Sequence, residues 1–195
     1  MRKTENTTMS SIPGLQDGLS PRKYYFAYGS NCHVSSMLSR CPAAICNGKV
    51  LLNHHELVLR SVADIEASDG QSVYGALWQI TPECESALDR YEGFPRHYTK
   101  RQVSVIHDEL GQLDAMVYVM VGRAAQEPPR AAYRDIIAQG YREHDISIKQ
   151  LNMALREAER KYRKEIGTIR KAETGLSTPV GGIYESERLK NMDRY

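Results

Sequence analysis

Residues 24–31 of the chain read Tyr-Tyr-Phe-Ala-Tyr-Gly-Ser-Asn, the most informative stretch of the sequence. Its first five residues are aromatic or small and apolar, which is typical of a buried strand. Gly29, Ser30 and Asn31 then end the strand, and an apolar helical pattern follows from Met37. A strand that ends at a helix start presents backbone N–H groups that can bind carboxylates, phosphates or developing oxyanions. The stretch therefore predicts a strand followed by an anion-binding loop.

A second informative segment covers residues 89–95, Asp-Arg-Tyr-Glu-Gly-Phe-Pro. It predicts the end of a helix at Glu92, with Gly93 as a left-handed C-terminal cap. An unperturbed glutamate has a pKa of about 4.3, which is too low for an efficient base near neutral pH. The negative end of the helix dipole and the neighbouring Tyr91 and Phe94 are expected to raise that pKa. Glu92 is therefore either a proton-transfer group or a solvated glutamate in a last helical turn.

The composition is that of an ordinary soluble enzyme. The 195 residues are 41% hydrophobic and 26% charged, which is enough apolar content for one core. A net charge of +2 is too small to indicate a nucleic acid or an anionic membrane as partner. Residues 1–13 lack the apolar centre of a signal peptide, and the longest apolar run, residues 115–121, is too short to cross a bilayer. A cytoplasmic protein without membrane or nucleic-acid partners is expected.

The order of the predicted elements indicates an α+β fold. Residues 1–22 are predicted to be a disordered lead, residues 23–163 a folded domain, and residues 164–195 a C-terminal extension. Strands are predicted at residues 24–28, 50–52, 56–60, 73–80, 102–106 and 113–121, with a turn at Asp69-Gly70. Helices are predicted at residues 35–41, from Thr81-Pro82 to Glu92, from Pro128-Pro129, and from Ile148 to Tyr162. Strands come first and helices late, without regular alternation, which favours α+β over a doubly wound sheet.

No metal site is predicted. The cysteines are Cys32, Cys41, Cys46 and Cys84, and none forms a Cys-x-x-Cys pair. Zinc ligation by these residues with His33 or the His54-His55 pair matches no ligand spacing typical of zinc proteins. We therefore expect four reduced thiols, packed mostly in the core.

Two other catalytic chemistries are weaker interpretations. A serine hydrolase built on Ser30, a histidine and Asp64 lacks the Gly-x-Ser-x-Gly pattern of a nucleophile elbow. A thiol enzyme built on Cys32 and His33 needs two side chains that face each other, and neighbours in a chain rarely do so. Neither pattern predicts a nucleophile in this chain.

The stretch at residues 24–31, together with Gly-Ala-Leu-Trp at 75–78 and Tyr-Glu-Gly at 91–93, resembles the gamma-glutamylcyclotransferase family of AIG2-like proteins. Residues 128–133 and the helices that follow also resemble that family. The resemblance runs from the start of the first motif to about Arg160. The residue after the Gly-Ser-Asn motif is a cysteine here, where the family usually has Leu or Met.

The resemblance implies an α+β domain with a small mixed, barrel-like sheet flanked by helices, and a pocket at the mouth of the sheet. It implies an enzyme that needs no cofactor, because the α-amine of a γ-glutamyl substrate attacks its own γ-carbonyl and releases 5-oxoproline. Glu92 is the implied general acid and base. The implied substrate-binding residues are Tyr28, Gly29, Ser30, Asn31 and Tyr98.

Each of these residues has an expected role in substrate binding. Gly29 allows the backbone to approach the ligand closely or to take a positive φ. The N–H groups of Ser30 and Asn31 suit a carboxylate or the γ-carbonyl oxygen. Tyr28 either lines the pocket or lies in the core, and the Tyr98 hydroxyl either orients the substrate or only packs.

A non-catalytic module that binds a γ-glutamyl or amino-acid ligand on the same fold is the alternative interpretation. The basic run at residues 160–164 would then be an attachment point, although the glutamates around it are typical of a solvated helix face. Glu92 favours the enzyme, because a protein that only binds has no need of a carboxylate there. The expected partner is a small γ-glutamyl molecule, such as a γ-glutamyl amino acid or glutathione, and a homodimer is compatible with these observations.

Overall fold

The protein, described over residues 21–174 by a computed structural model, is built there from five strands and four helices. The strands are β1 (Lys23–Ala27), β2 (Ile45–Leu59), β3 (Ala63–Ile80), β4 (Tyr98–His107) and β5 (Gly111–Met120). The helices are α1 (Val34–Arg40), α2 (Pro82–Glu92), α3 (Ala131–Glu143) and α4 (Lys149–Thr174), and a short 3₁₀ helix covers Ser30–Cys32. Residues 1–20 of the predicted lead and residues 175–195 of the predicted extension lie outside this part of the chain.

The five strands close into a barrel in the order β1-β3-β2-β4-β5. Neighbouring strands are antiparallel, except that β1 joins β5 in parallel through Tyr25 and Met116. The mixed, barrel-like sheet flanked by helices is therefore confirmed, although β4 begins at Tyr98 and not at residue 102. Because β1 bonds to β3 on one side and to β5 on the other, the loop that follows it starts from a strand held on both edges.

Burial on both faces explains why the Tyr-Tyr-Phe-Ala stretch forms a strand. Tyr25, Phe26 and Ala27 are all buried, so this half of β1 presents no side to solvent. A strand covered on both faces reads as a continuous apolar run and not as an alternation. Trp78 on β3 is fully buried, and its Nε1 donates to the backbone oxygen of Asn31 at 3.1 Å. This hydrogen bond ties the loop after β1 to the core.

The strands predicted at residues 50–52 and 56–60 form one continuous strand, β2, so their separation is wrong. The predicted joint falls where the β2–β3 pairing register shifts, between Asn53 and His55. The shift is a β-bulge or a similar irregularity of the pairing, and β2 continues through it. The polar residues at the joint therefore mark an irregularity within the strand and not a loop.

The turn predicted at Asp69-Gly70 lies inside β3, so the strand does not end there. Residues 68–71 stand opposite His54 alone in the paired strand. His54 and Gly70 both have positive φ, 56° and 76° respectively. The backbone at Gly70 thus has the positive φ that a turn would give it. The residues on both sides of it are still paired with β2, so β3 remains a single strand.

Helix α2 begins and ends where the sequence predicts. Thr81 Oγ1 accepts a hydrogen bond at 3.3 Å from a backbone N–H of the first turn, and Pro82 is the first helical residue. Gly93 has φ 65° and ψ 34°, so it provides the left-handed cap. These signals place Glu92 at the last position of the helix, where its side chain can leave the helical face.

Helix α3 starts at Ala131, directly after the Pro128-Pro129 pair and Arg130. Its buried residues are Ile137, Gly140 and Tyr141. The Tyr141 hydroxyl donates to the Tyr28 backbone oxygen at 3.1 Å. This face of α3 therefore packs on the end of β1 and on the loop that follows it.

Helix α4 is longer than predicted, because it continues past Tyr162. Ion pairs one turn apart, such as Glu157–Arg160 at 2.7 Å, line its exposed side and favour the helix where the apolar periodicity stops. The boundary predicted at residue 164 therefore falls inside α4. None of the helices within residues 21–174 is both long and apolar enough to cross a membrane.

We expect residues 166–195 to be dispensable for folding. Ala158 is the last buried residue in the described part of α4, so the later turns remove little apolar surface from water. A chain that ends at Glu165 should keep its free energy of unfolding within about 0.5 kcal/mol of the full chain. Urea denaturation of both proteins measures the difference. A markedly lower midpoint for the shorter chain would mean that residues after 165 pack on the domain.

Candidate functional site

The loop after β1 approaches its neighbours closely at Gly29, where a side chain would be tightly packed. A Cβ at this position would lie 3.1 Å from the Ala63 Cβ and 3.3 Å from the Tyr133 hydroxyl oxygen. The φ of Gly29 is −110°, so of the two alternatives the positive φ is not adopted. A close approach is present, and the groups approached are those of β3 and α3.

Ser30 and Asn31 are buried, and the protein uses both side chains. Ser30 Oγ lies 3.2 Å from the Tyr91 hydroxyl oxygen. The Asn31 Nδ2 group donates to the Tyr25 hydroxyl and to Glu92 Oε1, each at 2.9 Å. The backbone N–H groups of Ser30 and Asn31, by contrast, donate to no other residue in the part of the chain that the structure describes.

The fold brings Glu92 against this loop, although Glu92 lies 61 residues after Asn31 in the sequence. Oε1 of Glu92 accepts the Asn31 hydrogen bond. Oε2 accepts no hydrogen bond from another residue within 21–174, and it is not sealed from solvent. One carboxyl oxygen is therefore held by the protein, and the other is open to a substrate.

Burial raises the pKa of Glu92 from 4.5 to about 7. The Arg40 guanidinium and the Asn31 hydrogen bond both lower this pKa, but by less than burial raises it. The predicted increase is therefore present, with desolvation as its main cause. A group whose pKa lies near the operating pH is the most effective general acid–base catalyst, because both of its forms are populated.

The two predicted tyrosines lie in different surroundings. Tyr28 is buried, and its hydroxyl donates to the Tyr118 backbone oxygen at 2.7 Å, so Tyr28 belongs to the core. Tyr98 is partly buried, and its hydroxyl donates to the Ala63 backbone oxygen at 2.9 Å. The Tyr133 hydroxyl accepts a hydrogen bond from the Ala63 N–H at 3.1 Å. Ala63 therefore fixes two tyrosine hydroxyls next to the loop after β1.

Four side chains of this cluster are not among the predicted site residues. They are Tyr25, Arg40, Tyr91 and Tyr133. Arg40 Nη1 donates to Asn31 Oδ1 at 3.1 Å, and its guanidinium carbon lies 3.7 Å from the centre of the Tyr91 ring. The composition could have pointed to the tyrosines, because the chain has 12 Tyr and only 2 Phe. A buried tyrosine brings a hydroxyl that needs a hydrogen-bond partner, so clusters of bonded tyrosines are expected in such a chain. Nothing in the local sequence singles out Arg40.

The groups of the alternative chemistries are engaged elsewhere. Ser30 pairs with Tyr91 and not with a histidine. Asp64 is paired with Arg60, whose Nε lies 3.4 Å away. Burial raises the pKa of the Cys32 thiol to about 12, so the thiol stays protonated and is a weak nucleophile. No group of three or more His, Cys, Asp or Glu side chains arranged as metal ligands occurs within residues 21–174.

Comparison with known proteins identifies the family. A family model described as gamma-glutamyl cyclotransferase, AIG2-like, matches residues 25–141, a range that contains the loop after β1, Glu92 and Tyr98. The chain belongs to this family. It is 28% identical to a gamma-glutamylcyclotransferase of Bos taurus over 153 residues, which is 70% of this chain and 80% of the bovine protein. It is 26% identical to a gamma-glutamylcyclotransferase of Homo sapiens over 138 residues, 64% of this chain and 73% of the human protein.

The fold comparison agrees with this family. A crystal structure of an uncharacterized protein from Homo sapiens superposes with a TM-score of 0.61 at 25% sequence identity. The superposition covers 68% of this chain and 86% of the human one. A structure described as gamma-glutamyl cyclotransferase superposes with a TM-score of 0.62 at 24% identity, covering 69% of this chain and 86% of the other. The barrel of that structure is thus the architecture that carries the loop after β1 and the end of α2.

We expect Gly29→Val to lower turnover of a γ-glutamyl substrate far more than Cys32→Ala does. A valine side chain must displace Ala63, Tyr133 or the loop itself, and overpacking of this kind costs about 1–3 kcal/mol. Cys32→Ala removes one buried sulfur, whose hydrogen bond goes to the Ala27 backbone oxygen. Steady-state rates and melting temperatures of both variants test this. Complete inactivation of a well-folded Cys32→Ala protein would contradict it and restore the thiol mechanism.

Proposed function

We propose that this chain is a cyclotransferase for γ-glutamyl compounds, with Glu92 as its general acid and base. The observation that supports the proposal is the state of the Glu92 carboxyl: one oxygen is bonded to Asn31, the other is open, and the pKa is about 7. The N–H groups of Ser30 and Asn31 belong to the same loop. A proton-transfer group and donors for a developing oxyanion are therefore adjacent.

The proposed reaction is intramolecular and needs no enzyme nucleophile. Ionised Glu92 takes a proton from the α-ammonium group of the substrate. The free amine attacks the γ-carbonyl carbon, a C–N bond forms, and the carbonyl electron pair moves to the oxygen. When this oxyanion collapses, the bond to the leaving nitrogen breaks and Glu92 returns its proton to that nitrogen. The ring nitrogen, which still carries two hydrogens, gives one of them up to the released amine, so the amine leaves in its protonated form. The products are 5-oxoproline and an amine or amino acid, and Glu92 is ionised again.

The protein contributes position and electrostatics. Holding the γ-glutamyl chain in a near-attack shape supplies on the order of 7–11 kcal/mol. The Ser30 and Asn31 N–H groups are the proposed donors to the oxyanion or to the substrate carboxylate, and one such donor is worth about 10²–10³-fold in rate. Tyr98 is proposed to orient the substrate as an acceptor, because its own hydroxyl hydrogen is used by Ala63.

The test is incubation of the pure protein with a panel of γ-glutamyl compounds. The panel contains γ-glutamyl amino acids, glutathione, γ-glutamyl-ε-lysine and a γ-glutamylated amine, and mass spectrometry detects 5-oxoproline. At least one compound should be turned over. Its kcat/KM should fall as the pH drops below about 7, because protonation of Glu92 removes the base.

The same panel separates the enzyme from a binding module. Isothermal titration at pH 8 measures whether each compound binds, whatever its turnover. Binding without 5-oxoproline formation would overturn the proposed reaction in favour of a non-catalytic γ-glutamyl or amino-acid binding module. If no compound in the panel binds and none is turned over, both interpretations are excluded.

A further inference from the structure

Arg40, the last residue of α1, determines how the amide of Asn31 is turned. Its Nη1 donates to Asn31 Oδ1 at 3.1 Å, and its guanidinium carbon lies over the Tyr91 ring, 3.7 Å from the ring centre. A guanidinium has five N–H donors and no acceptor. The end of the amide that faces Arg40 must therefore be the oxygen, and the Nδ2 group must face away.

This orientation commits both hydrogens of Asn31 Nδ2. One goes to the Tyr25 hydroxyl and the other to Glu92 Oε1, each at 2.9 Å. An amide NH₂ group donates and does not accept, so Oε1 must act as an acceptor whether Glu92 is ionised or neutral. When Glu92 carries a proton, that proton must sit on Oε2, the oxygen that no residue within 21–174 occupies.

We propose that Arg40 is a positioning residue for proton transfer, because it orients the Asn31 amide and thereby assigns the mobile proton to Oε2 of Glu92. This inference rests on the proposed function, which requires Glu92 to take and return a proton. Because Oε1 always accepts the hydrogen bond from Asn31 Nδ2, the carboxyl takes up and releases its proton only at Oε2, the oxygen proposed to face the substrate. Arg40 does not contact the reacting atoms and acts through Asn31.

The charges around Glu92 give Arg40 a second effect. The titratable groups that interact with Glu92 from the other elements are the tyrosines Tyr25, Tyr28, Tyr98, Tyr118 and Tyr133. Burial raises the pKa of all of them, so they stay neutral near pH 7. The other carboxylates that act on the same tyrosines are each paired with a cation, Asp64 with Arg60, and both Asp89 and Glu85 with Lys100. Within residues 21–174, Arg40 is the one cation that lowers the pKa of Glu92.

The test combines a carboxyl titration with kinetics. Glutamate labelled with ¹³C at the side-chain carboxyl lets NMR follow Glu92 without turnover, and its signal is identified by its absence in Glu92→Gln. Arg40→Met keeps an unbranched chain over the Tyr91 ring but removes the charge and the donors. Arg40→Lys keeps a charged group that can only donate. Arg90→Met, at an exposed arginine two positions before Glu92 on α2, is the control.

We expect Arg40→Met to raise the pKa of Glu92 by about one unit, because an opposite charge at this range lowers a carboxyl pKa by at least that much. The acid limb of kcat/KM should move by the same amount, kcat should fall about tenfold or more, and KM should change by less than about threefold. Arg40→Lys should restore most of the pKa and of kcat. Arg90→Met should match the unchanged protein in both measurements.

Several outcomes would overturn the inference. Folded Arg40→Met with an unchanged Glu92 pKa and kcat would do so, and so would a loss in Arg40→Met that Arg40→Lys fails to restore. If Arg40→Met does not fold, the Glu92 pKa is measured in Asn31→Asp instead. This variant keeps an acceptor toward Arg40 but cannot donate to Oε1 of Glu92. An unchanged Glu92 pKa in Asn31→Asp would then refute the inference. If the unchanged protein forms no 5-oxoproline, the proposed function fails, while the NMR titration still decides whether Arg40 controls Glu92.

Discussion

Glu92→Gln should remove cyclotransferase turnover while the fold stays intact. Glutamine keeps the shape of the side chain and can still accept the Asn31 hydrogen bond on Oε1. It cannot take a proton from the substrate at neutral pH, and the loss of general acid–base catalysis costs about 10²–10⁴-fold in rate. The measurement is 5-oxoproline release at pH 8 by mass spectrometry, with circular dichroism to verify the fold. Near-normal turnover in this variant would refute the role assigned to Glu92.

The same variant should be more stable than the unchanged protein at high pH. The pKa of Glu92 is about 7 in the folded chain, above its ordinary value of 4.5, so folding favours the neutral form. Above pH 7 the unchanged protein must hold an ionised carboxyl in a desolvated place, which costs about 1–3 kcal/mol. The cost develops between the unfolded and folded pKa values, from 4.5 to about 7, and it disappears below pH 4.5, where the carboxyl is protonated in both states. Melting temperatures of Glu92→Gln should therefore exceed those of the unchanged protein at pH 8 and match them below pH 4.5.

A matched control is available on the same helix. Glu83 lies exposed in the first turn of α2, and its carboxyl accepts no hydrogen bond from the loop after β1. Glu83→Gln removes one negative charge without touching the site, so turnover should stay within about twofold. Equal losses of activity in Glu83→Gln and Glu92→Gln would mean that α2 as a whole, and not the Glu92 carboxyl, is sensitive to charge.

Gly140→Ala should be the most damaging small substitution in the protein's helices. A Cβ at Gly140 would lie 2.5 Å from the His33 backbone nitrogen and 2.6 Å from the Cys32 carbonyl carbon. Both are backbone atoms, which cannot rotate out of the way, so α3 or the loop after β1 must move. Overpacking of this kind costs about 1–3 kcal/mol. Turnover should fall as well, because the displaced residues directly follow Asn31.

Gly167→Ala is the matched control for Gly140→Ala. Both glycines lie in helices, but a Cβ at Gly167 would meet nothing within 4 Å. Alanine is favoured over glycine in an exposed helix by about 0.5–1 kcal/mol, so Gly167→Ala should be neutral or stabilising. Urea denaturation of the two variants gives both values. A Gly140→Ala protein as stable as Gly167→Ala would show that α3 does not press on the loop.

The predictable parts of the site are those that depend on a few neighbouring residues. The start of α2 follows from Thr81 and Pro82, and its end at Glu92 follows from Gly93. Caps of this kind satisfy backbone groups within one turn of the helix. The strand before Gly29 follows from a run of apolar residues. The increase in the Glu92 pKa was expected from the helix dipole and neighbouring rings, but burial among side chains of several elements is its main cause.

The parts that could not be predicted depend on contacts between distant residues. Local polarity suggested a loop between residues 52 and 56 and a turn at Asp69-Gly70. In the structure both segments lie within continuous strands, at the place where the pairing of β2 with β3 shifts its register. The hydrogen bonds that decide a strand's length join residues far apart in the chain, so no short window of sequence contains them.

The sequence alone determined the strand and loop at residues 24–31, the helix that ends at Glu92, and the family to which these motifs belong. Tertiary structure decided that Asn31 and Glu92 meet and that Arg40 orients the amide between them. It also placed Tyr28 in the core, and it set the constraint on Gly29 through the close contact with Ala63 and not through φ. The physical reason is that caps and apolar periodicity act within one or two turns of chain. The state of a carboxyl depends instead on which distant groups replace its water.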